Sequence, residues 1–225
     1  MTNSIKIAII VSNSRQFRNE VILLNHLYYK GDNPAETTLL LLHGTGGNEH
    51  DLVGLGKEID PKANLLSVRG NVLENGMPRF FKRIAEGIFD LEDLAYRTEE
   101  LKDFVDDAAK QYGFNRNNVI AIGYSNGANI AANLLFEYED VLAGAILHHP
   151  MVPRRGVELP RMSGLPIFIG AGKNDFMCPV KESEELRGLF ESKGAQVELF
   201  WHSYGHQLTQ EELEAAKKWY QSNNK

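Results

Sequence analysis

The chain has 225 residues with 24 basic and 30 acidic side chains, a net charge of −6. No basic surplus is available to displace counterions from a phosphate backbone, which excludes nucleic acid as a main partner. Apolar residues at 43% and charged residues at 24% suit one ordinary globular α/β core. The single cysteine, Cys178, rules out an intrachain disulfide or a cysteine-based metal site and fits a reducing, cytoplasmic compartment.

The apolar stretch Ile7–Val11 is too short for a secretory segment, and nothing approaches the roughly 20 apolar residues of a membrane span. Ile5–Val11 reads either as an extra edge strand or as an extension from an upstream start codon. The expected organisation is therefore an extension or edge strand over 1–20 and a single α/β domain over 21–225. The apolar runs Val21–Tyr29 and Thr37–His43 flank the turn signal Gly31-Asp32-Asn33-Pro34, which predicts antiparallel neighbours. Buried strands are predicted at Ala63–Val68, Asn118–Tyr124, Ala143–His149, Leu165–Ala171 and Ala195–His202, several of them continuous apolar runs of the kind a covered parallel sheet needs.

Helical spacing appears between the strands. Leu91, Leu94, Leu101, Val105 and Ala108 define one face, Ile130, Leu134 and Leu135 a second, and Leu208, Leu213, Ala216 and Trp219 a third. Thr209 and Glu212 form a capping-box pattern before the last. Alternating strands and helices predict a mostly parallel central sheet with helices on both faces. The stretch Arg69–Asp90, rich in Gly, Arg and Phe, breaks the alternation and reads as a functional insertion.

Gly123-Tyr124-Ser125-Asn126-Gly127 matches the G-x-S-x-G elbow, with a strand before it and small helical residues after it. The sharp turn exposes the hydroxyl, and the helix N-terminus offers free N–H groups to a developing oxyanion. The bland alternative is a serine that merely caps a helix. His43-Gly44-Thr45-Gly46-Gly47 follows an apolar strand and matches the loop that supplies the second oxyanion donor; the N–H groups of Thr45 and Asn126 are the assigned donors. Phosphate cradling is the rival use of such a loop, but no G-x-x-x-x-G-K-[ST] motif accompanies it.

This elbow requires the chain order serine, acid, histidine. Asp175 sits in a Gly-rich loop after a predicted strand, whereas the next candidates, Glu182 and Glu184, fall in a helical stretch. Four of seven histidines follow Ser125; His206 occupies the loop before the last helix and is the assigned base. No histidine pair has metal spacing, so neither metal nor cofactor is expected. For a substrate pocket the expectation is Met77, Phe80, Phe81 and Phe89 as an apolar wall, Arg79 as a polar handle and His149 among the lining residues. Cys178 reads as a small buried residue.

These motifs, with Gly205-His206-Gln207-Leu208-Thr209, resemble the carboxylesterase/phospholipase family of small α/β-hydrolases, which includes the acyl-protein thioesterases. Arg69–Phe81 and His148–Arg154 are most similar to its bacterial MhqD-like branch. The resemblance spans about residues 21–223 and implies the α/β-hydrolase fold and cofactor-free hydrolysis of small or medium acyl or aryl esters through an acyl-enzyme. Phe176 stands where the acyl-protein thioesterases carry proline, and Asn126 where they carry glutamine, which weakens any carry-over of protein depalmitoylation. The rival functions are an acyl thioesterase or lysophospholipase, and a non-catalytic ligand-binding member of the fold. The expected partner is a small-molecule ester; homodimerisation stays open.

Overall fold

The computed structural model describes residues 24–32 and 36–224. The strand or extension expected over 1–20, and part of the Gly31–Pro34 turn, lie outside the described residues. In chain order the elements are β1 (His26–Tyr29), β2 (Thr38–Leu42), α1 (Val53–Ile59), β3 (Asn64–Val68), β4 (Val72–Glu74), β5 (Met77–Arg79), β6 (Arg83–Ala85) and β7 (Ile88–Phe89). They continue with α2 (Leu91–Tyr112), β8 (Val119–Tyr124), α3 (Asn126–Glu137), β9 (Gly144–His148), β10 (Pro166–Gly172), α4 (Val180–Ser192), β11 (Gln196–His202) and α5 (Gln210–Asn223). Among the described residues, no helix is long and apolar enough to cross a membrane.

Seven strands form the central sheet in the order β1-β3-β2-β8-β9-β10-β11. All neighbours are parallel except β1 and β3, which run antiparallel. The two apolar runs expected to pair, now β1 and β2, do not touch as sheet neighbours. Leu39 to Leu42 are all fully buried, so β2 must sit inside the sheet, where β3 and β8 take its two edges. β1 closes the outer edge of β3.

Strand alternation distributes side chains to two cores. Leu40 and Leu42 of β2, with Val119 and Ala121 of β8, join the cluster beneath α2, α3 and α4. Leu39, Leu41, Ile120 and Ile122 join the cluster beneath α1 and α5. This is the period of two expected of strands buried on both faces.

The helix ends follow local chemistry. Asp90 caps α2 by accepting from the Asp93 N–H, and Gly113 ends it in the left-handed conformation at φ 73°. Leu91 is 51% exposed and not on the buried face predicted for it: it is the first helical residue, where the stripe has not yet met the sheet. Thr209 accepts from the Glu212 N–H at 3.2 Å. The reciprocal bond of a capping box is not made, because the Glu212 carboxylate turns inward. The insertion after β3 folds as two hairpins, β4–β5 and β6–β7. Asn75 and Gly76 turn the first of them with φ 51° and 79°, the positive pair that a two-residue hairpin loop requires.

Candidate active site

The C-terminal ends of β2, β8, β10 and β11 feed one cluster of loops, and the expected reactive residues meet there. Ser125 leaves β8 with φ 52° and ψ −111°, a conformation unfavourable to a residue with a Cβ. The Ser125 N–H donates to His148 O at 2.9 Å, and Ser125 O accepts from the Asn129 N–H at 2.9 Å. The turn is tight enough that a Cβ on Gly123 would lie 2.6 Å from Ala128 N, and one on Gly127 would lie 2.0 Å from Leu42 O.

A continuous hydrogen-bonded chain runs from the hydroxyl inward. The Ser125 hydroxyl donates to His206 Nε2 at 2.8 Å, and His206 Nδ1–H donates to Asp175 Oδ2 at 2.7 Å. The other carboxylate oxygen, Oδ1, accepts from the N–H groups of Met177 and Cys178 at 2.8 and 2.9 Å. Burial opposes the charge of Asp175, but the bonds from His149, His206 and Cys178 prevail and hold its carboxyl well below the usual carboxylate range. The His206 backbone is tied down by the Tyr124 hydroxyl, which donates to His206 O at 2.6 Å.

The loop after β2 lies directly against this turn. A Cβ on Gly44 would stand 2.7 Å from the Tyr124 ring. His43 supports the loop from below: its Nδ1–H donates to Gly44 O at 2.6 Å, and its Nε2 accepts from the Gly70 N–H at 3.0 Å. Among the described residues, neither the Thr45 N–H nor the Asn126 N–H has a backbone acceptor. Their side chains are engaged elsewhere: Thr45 Oγ1 accepts from Arg79 Nη1 at 2.8 Å, and Asn126 Oδ1 accepts from the Phe80 N–H at 2.7 Å.

The pocket expectation needs correction. Phe81 has no exposed surface and Phe80 only 4%; both belong to the core, Phe80 packing on His43 and Phe81 on Phe89. Phe89 is half-buried against that same core. Arg79 is buried too, and it braces the loop after β2 by donating to Thr45 Oγ1, and also donates to Phe81 O and Glu74. The hairpin turn forces this: β5 carries Arg79 back beneath the loop, so the residues after it continue into the core. His149 is fully buried and bonds Asp175. Only Met77 is open, 40% exposed, and placed so that a Cβ on Gly46 would meet its sulfur at 3.6 Å.

Sequence reasoning missed Glu212, His148 and His202. All three are buried; Glu212 accepts from His148 Nδ1 at 2.5 Å, His202 Nε2 at 3.1 Å and His149 Nε2 at 3.2 Å. Ligand-type atoms of His149, His202 and Glu212, and likewise of His149, Asp175 and His206, lie within 4.8 Å of one another, and these hydrogen bonds account for both groupings. Burial pushes the Cys178 thiol far up, and it donates to His149 O at 3.2 Å, so it is no second nucleophile.

Residues 28–224 match the family model described as phospholipase/carboxylesterase. MhqD of Bacillus subtilis (strain 168), named a hydrolase, is 64% identical over 197 residues, covering 88% of this chain and 98% of that protein. Among solved structures, the Bacillus cereus carboxylesterase is 59% identical with a TM-score of 0.88, covering 89% of this chain and 95% of that one. YahD, solved with malic acid, is 36% identical with a TM-score of 0.85, covering 89% and 100%.

Proposed function

The chain belongs to the phospholipase/carboxylesterase family of α/β-hydrolases and is a carboxylic ester hydrolase; from that premise we propose that Ser125, His206 and Asp175 are its catalytic triad, working through an acyl-enzyme. The observation carrying the proposal is the unbroken chain of 2.8 and 2.7 Å bonds from the Ser125 hydroxyl through His206 to Asp175. His206 takes the Ser125 proton as Oγ attacks the ester carbonyl. The N–H groups of Thr45 and Asn126 hold the oxyanion at the N-terminus of α3, where the helix dipole favours negative charge. The tetrahedral intermediate collapses, breaking the bond to the alcohol oxygen, and His206 returns its proton to that leaving group. Water then adds to the acyl-serine by the same route and releases the acid. Asp175 holds the imidazole with its proton on Nδ1 and stabilises the imidazolium that forms in each half.

The rim suggests apolar acyl or aryl groups of small to medium size. Exposed Phe176, Met177 and Tyr204 lie in the loops that carry the acid and the base, and exposed Met77 of β5 lies beside Gly46 of the loop after β2. Purified protein is tested on p-nitrophenyl esters of increasing acyl length and on acyl-CoA thioesters. Ester hydrolysis and fluorophosphonate labelling are expected, with both lost in Ser125→Ala by about 10⁴-fold or more. A Ser125→Ala protein retaining the wild-type rate refutes the assignment.

A further inference from the structure

Beneath the reactive chain lies a second polar layer that acyl transfer, as described above, does not use. His148, His149, His202 and Glu212 are each at most 4% exposed and come from the ends of β9 and β11 and the first turn of α5. Glu212 reaches them across Gly170, where a Cβ would stand 1.8 Å from its Oε1. Any side chain at that position would expel the carboxylate.

The proton positions follow from the partners. His202 Nδ1 accepts from the Tyr204 N–H at 3.1 Å, so its proton is on Nε2 and donated to Glu212. His149 differs from its neighbours: Nδ1 faces Asp175 Oδ2 at 2.9 Å and Nε2 faces Glu212 Oε2 at 3.2 Å. A neutral ring would set a bare lone pair against one carboxylate oxygen. Protonating both nitrogens gives each carboxylate a donor, and it sets His149 Nε2–H 3.4 Å from His202 Nε2. The oxygen that accepts from His149 is the same Asp175 Oδ2 that accepts from His206.

We propose that His149 is a positioning residue of the esterase, an imidazolium clamped between Asp175 and Glu212 that locks the acid beneath His206. The proposal rests on the triad reading above.

Every element around His149 is consistent with a single charge there. The acid loop presents Asp175 and the Cys178 thiol, α5 presents Glu212, β11 presents His202, and β9 itself contributes His148. Tyr124 and His206 close the top, with ring centres 6.0 and 5.0 Å away. The facing carboxylates are Asp175 and Glu212. Burial works against the charge on His149, yet the two carboxylates outweigh it and raise its pKa to about 9; burial opposes the charge on Glu212 too, and the bonds from His148 and His149 outweigh it and lower its pKa to about 2. The backbone also holds the clamp in place. His149 sits at φ 53°, a left-handed conformation unusual for a residue with a Cβ, and its N–H donates to Gly170 O at 2.8 Å.

A positive ring 5.0 Å from His206 opposes a second positive charge there. Removing it must move the acid limb of activity upward. The test is the pH dependence of kcat/KM on a p-nitrophenyl ester for wild type and His149→Gln, which keeps a donor and discards the charge. The limb is expected to rise by about one pH unit or more, so that the variant loses most at low pH. A rate lowered equally at every pH, with the limb in place, overturns the proposal. Wild-type protein without hydrolysis would overturn the esterase reading instead. Nitrogen-15 imidazole spectra of the wild-type protein test His149 independently of activity and of the variant's folding: both nitrogens should be protonated from pH 5 to 8. One protonated nitrogen at pH 7, or a metal-bound one, overturns the clamp.

Discussion

Replacing Gly127 with alanine tests how the reactive turn is built. The added methyl would stand 2.0 Å from Leu42 O, 2.5 Å from Leu42 C and 2.6 Å from His43 O. Carbon–oxygen contacts settle near 3.3–3.6 Å, so the gap between the end of β2 and the first turn of α3 must open by about 1.5 Å. The obstructing atoms are backbone and cannot rotate aside. Relief has to come from displacing α3, and Ser125 and Asn126 move with it. Overpacking of this kind costs about 1–3 kcal/mol, and a misplacement near 1 Å at a reacting centre costs about 100-fold in rate. Urea denaturation gives the first quantity, and kcat/KM with the rate of fluorophosphonate labelling gives the second. A variant with the wild-type midpoint and a rate within about twofold of wild type would show that α3 does not press on the β2 loop as described. Gly188→Ala is the matched control: Gly188 lies within α4 with nothing inside 4 Å of the added methyl.

Three further outcomes are expected. Gly188→Ala should raise stability by about 1 kcal/mol with unchanged activity, read from the same urea curves. Arg79→Met should strip Thr45 Oγ1 and Phe81 O of their donor, costing about 2 kcal/mol and lowering kcat more than it raises KM; an equal change in both would argue against a brace on the oxyanion loop. The buried clamp should also give stability a pH optimum. His149 is raised from its ordinary 6.5 to about 9, so its contribution is complete below pH 6.5 and lost as pH rises through 9. Glu212 is lowered from 4.5 to about 2, so its contribution is complete above pH 4.5 and lost as pH falls through 2. The two contributions share the His149–Glu212 attraction and are not independent. Thermal melts should therefore fall between pH 6.5 and 9 in wild type and flatten in His149→Gln; parallel curves would contradict the linkage.

That Ser125, Asp175 and His206 would meet was legible in the chain, because the elbow motif sets their order and their loops, and the three side chains do form one hydrogen-bonded chain. The inner strands were legible for a simpler reason: a run such as Leu39–Leu42, buried on both sides, has few other uses. β1 was assigned the wrong partner because a turn signal reports that the chain reverses locally, and not which strand edge is free when it returns. Phe80, Phe81 and Arg79 were misplaced for a related reason. Composition marked the insertion as unusual, but only the hairpin turn at Asn75-Gly76 decides that β5 turns these side chains inward. Glu212 shows the limit of short-range patterns most sharply. Its spacing from Thr209 reads as a helix cap, and half of that cap exists. Its carboxylate accepts from His148 and His149, 64 and 63 residues away, and from His202, 10 residues away, and no helix-cap spacing encodes them.

The buried cluster also bears on why the acid is built as it is. An ionised carboxylate under a reactive histidine needs donors that keep it charged, and the N–H groups of Met177 and Cys178 occupy only its Oδ1. His206 cannot be the sole support for Oδ2, because its position must serve the hydroxyl as well as the acid. A second imidazole on Oδ2 supplies that support from the protein side, but a buried imidazolium is itself costly unless paired. Glu212 provides the counter-charge, with His148 donating to its Oε1 and His202 joining His149 on its Oε2. Each buried polar group is thus required by the one above it, and the sequence of requirements starts at Ser125. A purely structural polar core carries no such direction: it would lose stability from any member equally and leave the pH at which the reaction fails untouched.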